Sequence, residues 1–229
     1  MKTKLSWRDI ASRIDAALLK AMSSKSDLLK LTKEAAQLGY RSVCVPPYLV
    51  EPAAKSLDNT GVRVGTVIGF PFGFNTTSTK MHETRTASQM GAKEVDYVVG
   101  IGEYMSDGVK FVELEASALL AAAKDCGIDV VKSIIEVGYV SRDQLKEVCL
   151  ACSSSGVDYL KTSTGYGPRP TTVEDVRFMV EAVSGRTPVK AAGGIRDLHD
   201  ALSMFEAGAE LIGTSNPRKI IDEARTAES

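Results

Sequence analysis

The chain has 229 residues, enough to bury one sizeable core; length alone permits one domain or two, and single α/β barrels fall in this range. Lys and Arg number 28 against 29 Asp and Glu, a formal net charge of −1, so no global field recruits nucleic acid or an anionic membrane. No apolar run approaches the ~18 residues needed to span a bilayer.

The opening MKTKLSWRDI is basic but has no apolar stretch behind it, so no secretory signal is expected and the protein is read as cytoplasmic. The four cysteines are Cys44, Cys126, Cys149 and Cys152. Only CLAC has tight spacing, and it lies in a helix-like stretch with no second pair to complete a zinc site, so reduced thiols are expected. His82 and His199 stand far apart with no metal-ligand spacing around either.

In chain order, short apolar runs alternate with helical patterns. The runs are RIDAALLK (13–20), SVCVPP (42–47), RVGTVIGFP (63–71), EVDYVVGI (94–101), DVVKSIIEV (129–137), VDYLKTS (157–163), PVKAAGG (188–194) and ELIGTS (210–215). From SVCVPP onward, length, β-branching and flanking turn residues mark strands. The first run is the least strand-like, because Ala and Leu dominate it. Between the runs, SDLLKLTKEAAQLG offers Ser26 or Asp27 as an N-cap and Gly39 as a stop. TTSTKMHETRTASQMGAKE ends at Gly91, TTVEDVRFMVEAVSG opens on a hydroxyl cap and ends at Gly185, and DLHDALSMFEAGAE repeats the pattern. Glycine recurs just ahead of the next strand in LGYRS, MGAKE, CGIDV, SSGVD and AGAEL, the punctuation of an αβ loop. Eight strands each followed by a helix predict a parallel sheet with crossovers. A closed (β/α)8 barrel is expected over an open doubly wound sheet, since eight is the closing number and the chemistry-bearing residues fall at strand C-terminal ends. No linker or composition shift divides residues 1–229, so one domain is expected.

Three lysines interrupt consecutive strands: Lys132 in VVKSII, Lys161 in DYLKTST and Lys190 in PVKAAGG. Neighbouring strands are ~4.8 Å apart, so their ammonium groups could meet within several ångström inside the barrel, with Asp96 on the fourth strand as a counter-ion. A single strand lysine would more often snorkel or pair with a carboxylate. Three in succession bury like charges at a cost that suggests a use. An amine among other cations has its neutral form favoured, and a neutral amine attacks a carbonyl carbon. Lys161 is best placed, because hydroxyls and glycines follow it directly. Glycine clusters close strands six to eight in TSTGYGP, AAGGIRD and IGTSNP. Such turns can be plain turns, but placed together they suit a phosphate at the barrel mouth, and a sugar phosphate is the natural ligand class.

DYLKTSTGYGP and VKAAGGIRD resemble the hallmark segments of the deoxyribose-phosphate aldolase family, class I aldolases on a TIM barrel. VIGFPFG, TTSTKMHETRTASQMGAKEVDYVVGIG, VKSIIEVGYV and LIGTS extend the resemblance from about residue 10 to residue 215. It implies that Lys161 is the Schiff-base lysine and that Lys190 is the second lysine, which depresses the pKa of the first. It implies that Asp96 shuttles protons and that Lys132 positions this network. Gly165, Gly193, Gly194, Gly213 and Ser215 fall on its phosphate-binding segments. The implied reaction is reversible cleavage of 2-deoxy-D-ribose 5-phosphate into glyceraldehyde 3-phosphate and acetaldehyde, with no metal or organic cofactor. A homodimer or larger homo-oligomer is expected by family analogy.

The chain departs from the family in places. Many members read Ile-Asp-His-Thr where this chain has IDAALLK; Asp15 is retained, while Ala16 and Ala17 occupy the polar positions. Pro46 stands where asparagine is frequent, and the C-terminal stretch lacks the tyrosine some members use in proton transfer. Cys44 matches a cysteine near the family's pocket, where it could meet aldehyde products or simply pack. Losing a hydroxyl at Ala17 can shift substrate preference without touching the amine chemistry. A related Schiff-base aldolase for another phosphorylated sugar is therefore an alternative, and a silent sugar-phosphate-binding barrel is a further one.

Overall fold

The computed structural model describes residues 5–228; the first four residues of the basic opening, and with them part of that stretch, lie outside it. Eight strands, β1 (Ile14–Ala17), β2 (Ser42–Val45), β3 (Arg63–Ile68), β4 (Glu94–Val98), β5 (Val130–Ile134), β6 (Tyr159–Lys161), β7 (Val189–Ala192) and β8 (Ala209–Thr214), pair in parallel in sequence order and close through β1 and β8. This is a (β/α)8 TIM barrel. The first run is thus a strand despite its alanines, because both neighbours supply partners: Asp15 sits opposite Ser42 on one side and Gly213 on the other.

Around the barrel run α1 (Trp7–Ala11), α2 (Lys25–Leu38), α3 (Val50–Ser56), α4 (Thr77–Gln89), α5 (Ile101–Asp107), α6 (Val109–Cys126), α7 (Arg142–Ser155), α8 (Val173–Ala182), α9 (Leu198–Glu206) and α10 (Pro217–Glu228). The cap of α2 is Ser24, neither Ser26 nor Asp27. Ser24 and Asp27 form a reciprocal capping box, the Asp27 N–H on the Ser24 hydroxyl and the Ser24 N–H on the Asp27 carboxylate, and this pulls the helix start forward. The glycines read as stops before strands all take left-handed φ, from 68° at Gly185 to 105° at Gly208. No helix among the described residues is long and apolar enough to cross a membrane.

Alternation along each strand divides two environments. One face packs on the helices: Ile14, Ala16, Val43, Val95, Val131, Leu160, Val189 and Ile212 are buried there. Each fully buried Val, Leu or Ile contributes about 1.5–3 kcal/mol. The other face lines the barrel interior, and there Asp15, Glu94, Asp96, Lys132, Lys161 and Lys190 are buried together. The apolar core is thus a shell around a charged centre, where barrels of this kind more often stack branched aliphatic side chains.

Candidate active site

The register of the middle strands assembles the centre. Asp96 lies opposite Lys132, and Lys161 lies opposite Lys190. Asp96 accepts from all three lysines: Lys132 Nζ on Oδ1 at 2.9 Å, with Lys161 Nζ and Lys190 Nζ both on Oδ2 at 2.8 Å. The Lys161 and Lys190 nitrogens are therefore no further apart than twice that distance. Beneath them, Asp15 Oδ2 stands 2.6 Å from Lys190 Nζ and 3.5 Å from Lys132 Nζ, while Glu94 Oε2 is 2.6 Å from Lys132 Nζ. Arg41 closes the floor, with Nη1 at 2.8 Å from Glu94 and 3.1 Å from Asp15. Ser42 adds a hydroxyl donor to Asp15.

Burial opposes charge on these carboxylates, yet the cations around them prevail. Lys132, Lys161 and Lys190 hold Asp96 well below the usual carboxylate range. Lys190, Lys132 and Arg41 do the same for Asp15. Burial likewise works against the ammonium groups of Lys132 and Lys190, but the carboxylates beside them raise both above the ordinary lysine value. The three lysines are not equivalent. Lys132 touches three carboxylates, Lys190 touches two, and Lys161 touches Asp96 alone.

A cleft of about 280 Å³ opens above this network at the C-terminal ends of the strands. Lys161, Lys190, Asp15, Ala17 and Cys44 form its floor; Asp96 and Lys132 stand behind it. Burial pushes the Cys44 thiol up to about 11. The walls are the end of β8 and the loops after β6, β7 and β8, with Gly213 on the strand and Gly165, Gly193, Gly194 and Ser215 on the loops, all on the cleft. Their roles differ. A Cβ on Gly213 would lie 3.1 Å from Lys190 Cε, so this glycine makes room for the lysine stem. Gly194 has φ 91° and lies over Pro170, whose Cβ would be 2.6 Å from an added methyl. Arg196 and Lys20 bring exposed cations to the rim, next to Asn216 and the start of α10. A floor amine and a cationic, glycine-lined rim suit a carbonyl compound that carries an anionic group at its other end.

Residues 13–223 match the family described as DeoC/LacD family aldolase. The chain belongs to this aldolase family. It is 43% identical over 215 residues to a deoxyribose-phosphate aldolase of Thermoanaerobacter sp. (strain X514), covering 94% of this chain and 96% of that one. It is also 43% identical to a deoxyribose-phosphate aldolase of Geobacillus sp. (strain WCH70), covering 96% and 98%. Among solved structures, the aldolase QR15 superposes with a TM-score of 0.90 at 38% identity, over 96% of this chain and 97% of that one. A deoxyribose phosphate aldolase from Aeropyrum pernix, described as having a unique tetrameric structure, gives 0.90 at 32% identity over 97% and 93%.

Within this DeoC/LacD aldolase the residues singled out in the sequence come together: Lys161, Lys190, Lys132 and Asp96 share one network, and the five rim residues share one cleft. Ala17 lines the cleft, whereas Ala16 faces the helical layer and cannot meet a ligand there. Glu94 and Arg41 were not foreseen as members. Glu94 carried a readable signal, since it lies two residues before Asp96 on the same strand face. Arg41 precedes its strand and carried none.

Proposed function

We propose that this chain is a class I aldolase that reversibly cleaves 2-deoxy-D-ribose 5-phosphate into D-glyceraldehyde 3-phosphate and acetaldehyde through an imine on Lys161. The observation that carries the proposal is the position of Lys161 Nζ. It is on the cleft floor, opposite the glycine rim, with one carboxylate contact where its neighbours have two and three. Of the three amines it has the fewest carboxylate contacts to give up on becoming a nucleophile.

Neutral Lys161 adds to C1 of the open-chain aldehyde, and loss of water from the carbinolamine gives the iminium ion. Deprotonation of the C3 hydroxyl lets the C2–C3 bond break. Its electron pair passes into the iminium as an enamine, and glyceraldehyde 3-phosphate leaves. Protonation at C2 and hydrolysis release acetaldehyde and regenerate the amine. Asp96 accepts hydrogen bonds from all three lysines and so joins their protons in one network from which these transfers draw. Lys190 keeps a cation next to the imine nitrogen, and Lys132 anchors the far oxygen of Asp96. The rim of Gly165, Gly193, Gly194, Gly213 and Ser215 receives the phosphate.

The deoxyribose-phosphate aldolases among the relatives support the choice of sugar. Ala17 on the cleft floor favours a second reading, an aldolase of the same imine type acting on a different phosphorylated sugar. The reading extends to a single catalytic unit over residues 1–229, a cytoplasmic setting and a homo-oligomer, a dimer by family habit.

Intact mass after borohydride reduction in the presence of 2-deoxyribose 5-phosphate tests the reading. A reduced adduct is expected on the wild type and not on Lys161→Ala. An adduct only with another carbonyl phosphate selects the second reading, and no adduct with any of them overturns both.

A further inference from the structure

Glu136 carries two burdens that its neighbours do not. It is 2% exposed just beyond β5, with φ at 56°. The other two non-glycine residues at positive φ among the described residues, Asn59 and Ser184, lie on exposed turns. Its carboxylate is also half unused: Oε1 is buried without a hydrogen-bond partner. A left-handed backbone and an orphaned carboxylate oxygen are both destabilising, and together at one residue they point to a local task.

The other oxygen shows the task. Oε2 accepts from the Thr164 N–H at 2.9 Å and from the Thr164 hydroxyl. The Thr164 hydroxyl in turn accepts from the Tyr166 N–H at 3.0 Å. Glu136 thus fixes both sides of Gly165, the rim glycine with φ 87° that separates Thr164 from Tyr166. Beneath the same loop, Gly167 lies against Oε1 so closely that any Cβ there would overlap the carboxylate. Gly138 fits under Pro168, whose Cγ would be 2.9 Å from an added methyl. The segment after β5 is a saddle, and the loop after β6 rides on it. Tyr166 carries this placement across the cleft by donating its hydroxyl to Leu19 O at 2.7 Å.

We propose that Glu136 is a positioning residue for the phosphate end of the substrate, acting through Thr164 on the loop that carries Gly165. This inference rests on the aldolase reading above. Glu136 does not line the cleft, and no contact joins it to the lysine network, so its effect separates from the imine chemistry.

The test compares 2-deoxyribose 5-phosphate with unphosphorylated 2-deoxyribose in wild type, Glu136→Gln and Gly167→Ala, which disturbs the carboxylate from the opposite side. Borohydride trapping with acetaldehyde alone serves as the control for the amine. KM for the phosphorylated sugar should rise roughly tenfold in both variants, the worth of one charge-assisted hydrogen bond. The unphosphorylated sugar should keep its kcat/KM and acetaldehyde its trapping rate, both within about twofold. Equal losses with both sugars would reduce Glu136 to general structural support and overturn the proposal, as would unchanged phosphate preference in both variants. If the wild type forms no acetaldehyde adduct, the aldolase reading fails and takes this inference with it. A normal adduct with unchanged preference overturns this inference alone. Gly167→Ala decides the matter if Glu136→Gln does not fold.

Discussion

Asp96→Asn keeps the shape of the side chain and removes the one charge that all three buried lysines touch. At an effective dielectric of about 20, a unit charge pair at 2.8 Å is worth roughly 6 kcal/mol, and three such contacts would suggest a catastrophic loss. The loss has a ceiling, however, because a lysine can shed its proton. From an ordinary pKa of about 10.4, neutralising one amine at pH 7 costs about 4 to 5 kcal/mol. The expected destabilisation at pH 7 is therefore about 3–5 kcal/mol, in the range for breaking one side of a buried ion pair. The same ceiling falls by about 1.4 kcal/mol per pH unit, to about 2 kcal/mol at pH 9. Urea unfolding followed by circular dichroism at pH 7, 8 and 9 measures this directly. A penalty under about 1 kcal/mol, or one that stays constant from pH 7 to pH 9, would refute the reasoning that the network is held by charge and relieved by titration.

Three further outcomes follow from the same geometry. Asp15 and Asp96 titrate below their unfolded values, so the unfolded chain binds more protons in acid; stability should hold down to about pH 4 and fall below it, read from urea midpoints across pH 3–7. Gly194→Ala should lower stability by about 1–3 kcal/mol through its positive φ and the Pro170 clash, and should raise KM for the phosphorylated sugar; thermal melts with steady-state kinetics check both. A neutral alkylating reagent at pH 8 should label half-buried Cys126 first, while Cys149 and Cys152, buried away from the cleft with thiols pushed up by desolvation, react only on unfolding; peptide mass mapping gives the order.

The parallel barrel was legible because its strands are short branched runs bounded by glycine, and the amine cluster because three lysines on consecutive strands bury like charges at a cost that one snorkelling or paired lysine would not. What stayed hidden is what a linear reading cannot carry. Arg41 stands one residue before β2 and reaches the network only once the barrel twist brings it under Asp15 and Glu94. Ala16 and Ala17 look alike in sequence, and only register shows that Ala17 meets the cleft. Glu136 reads as the penultimate residue of the strand run DVVKSIIEV, since nothing in its identity discloses a left-handed backbone. The cap of α2 was misplaced because the motif S-K-S-D offers two serines, and Ser24, not Ser26, has an acid three residues on.

The charged interior has a consequence for how the barrel comes together. Its buried carboxylates, Asp15, Glu94 and Asp96, all come from β1 and β4, and its buried lysines, Lys132, Lys161 and Lys190, all come from β5, β6 and β7. Cut between β4 and β5, the chain falls into two half-barrels whose inner walls bear opposite sign, softened in the first half by Arg41 and Arg63, which pair with its carboxylates at the floor. Two copies of the second half could not face each other without burying six ammonium groups, and two copies of the first would set six carboxylates face to face. The fold thus encodes an instruction about pairing: each half is complementary to the other and repelled by its own kind.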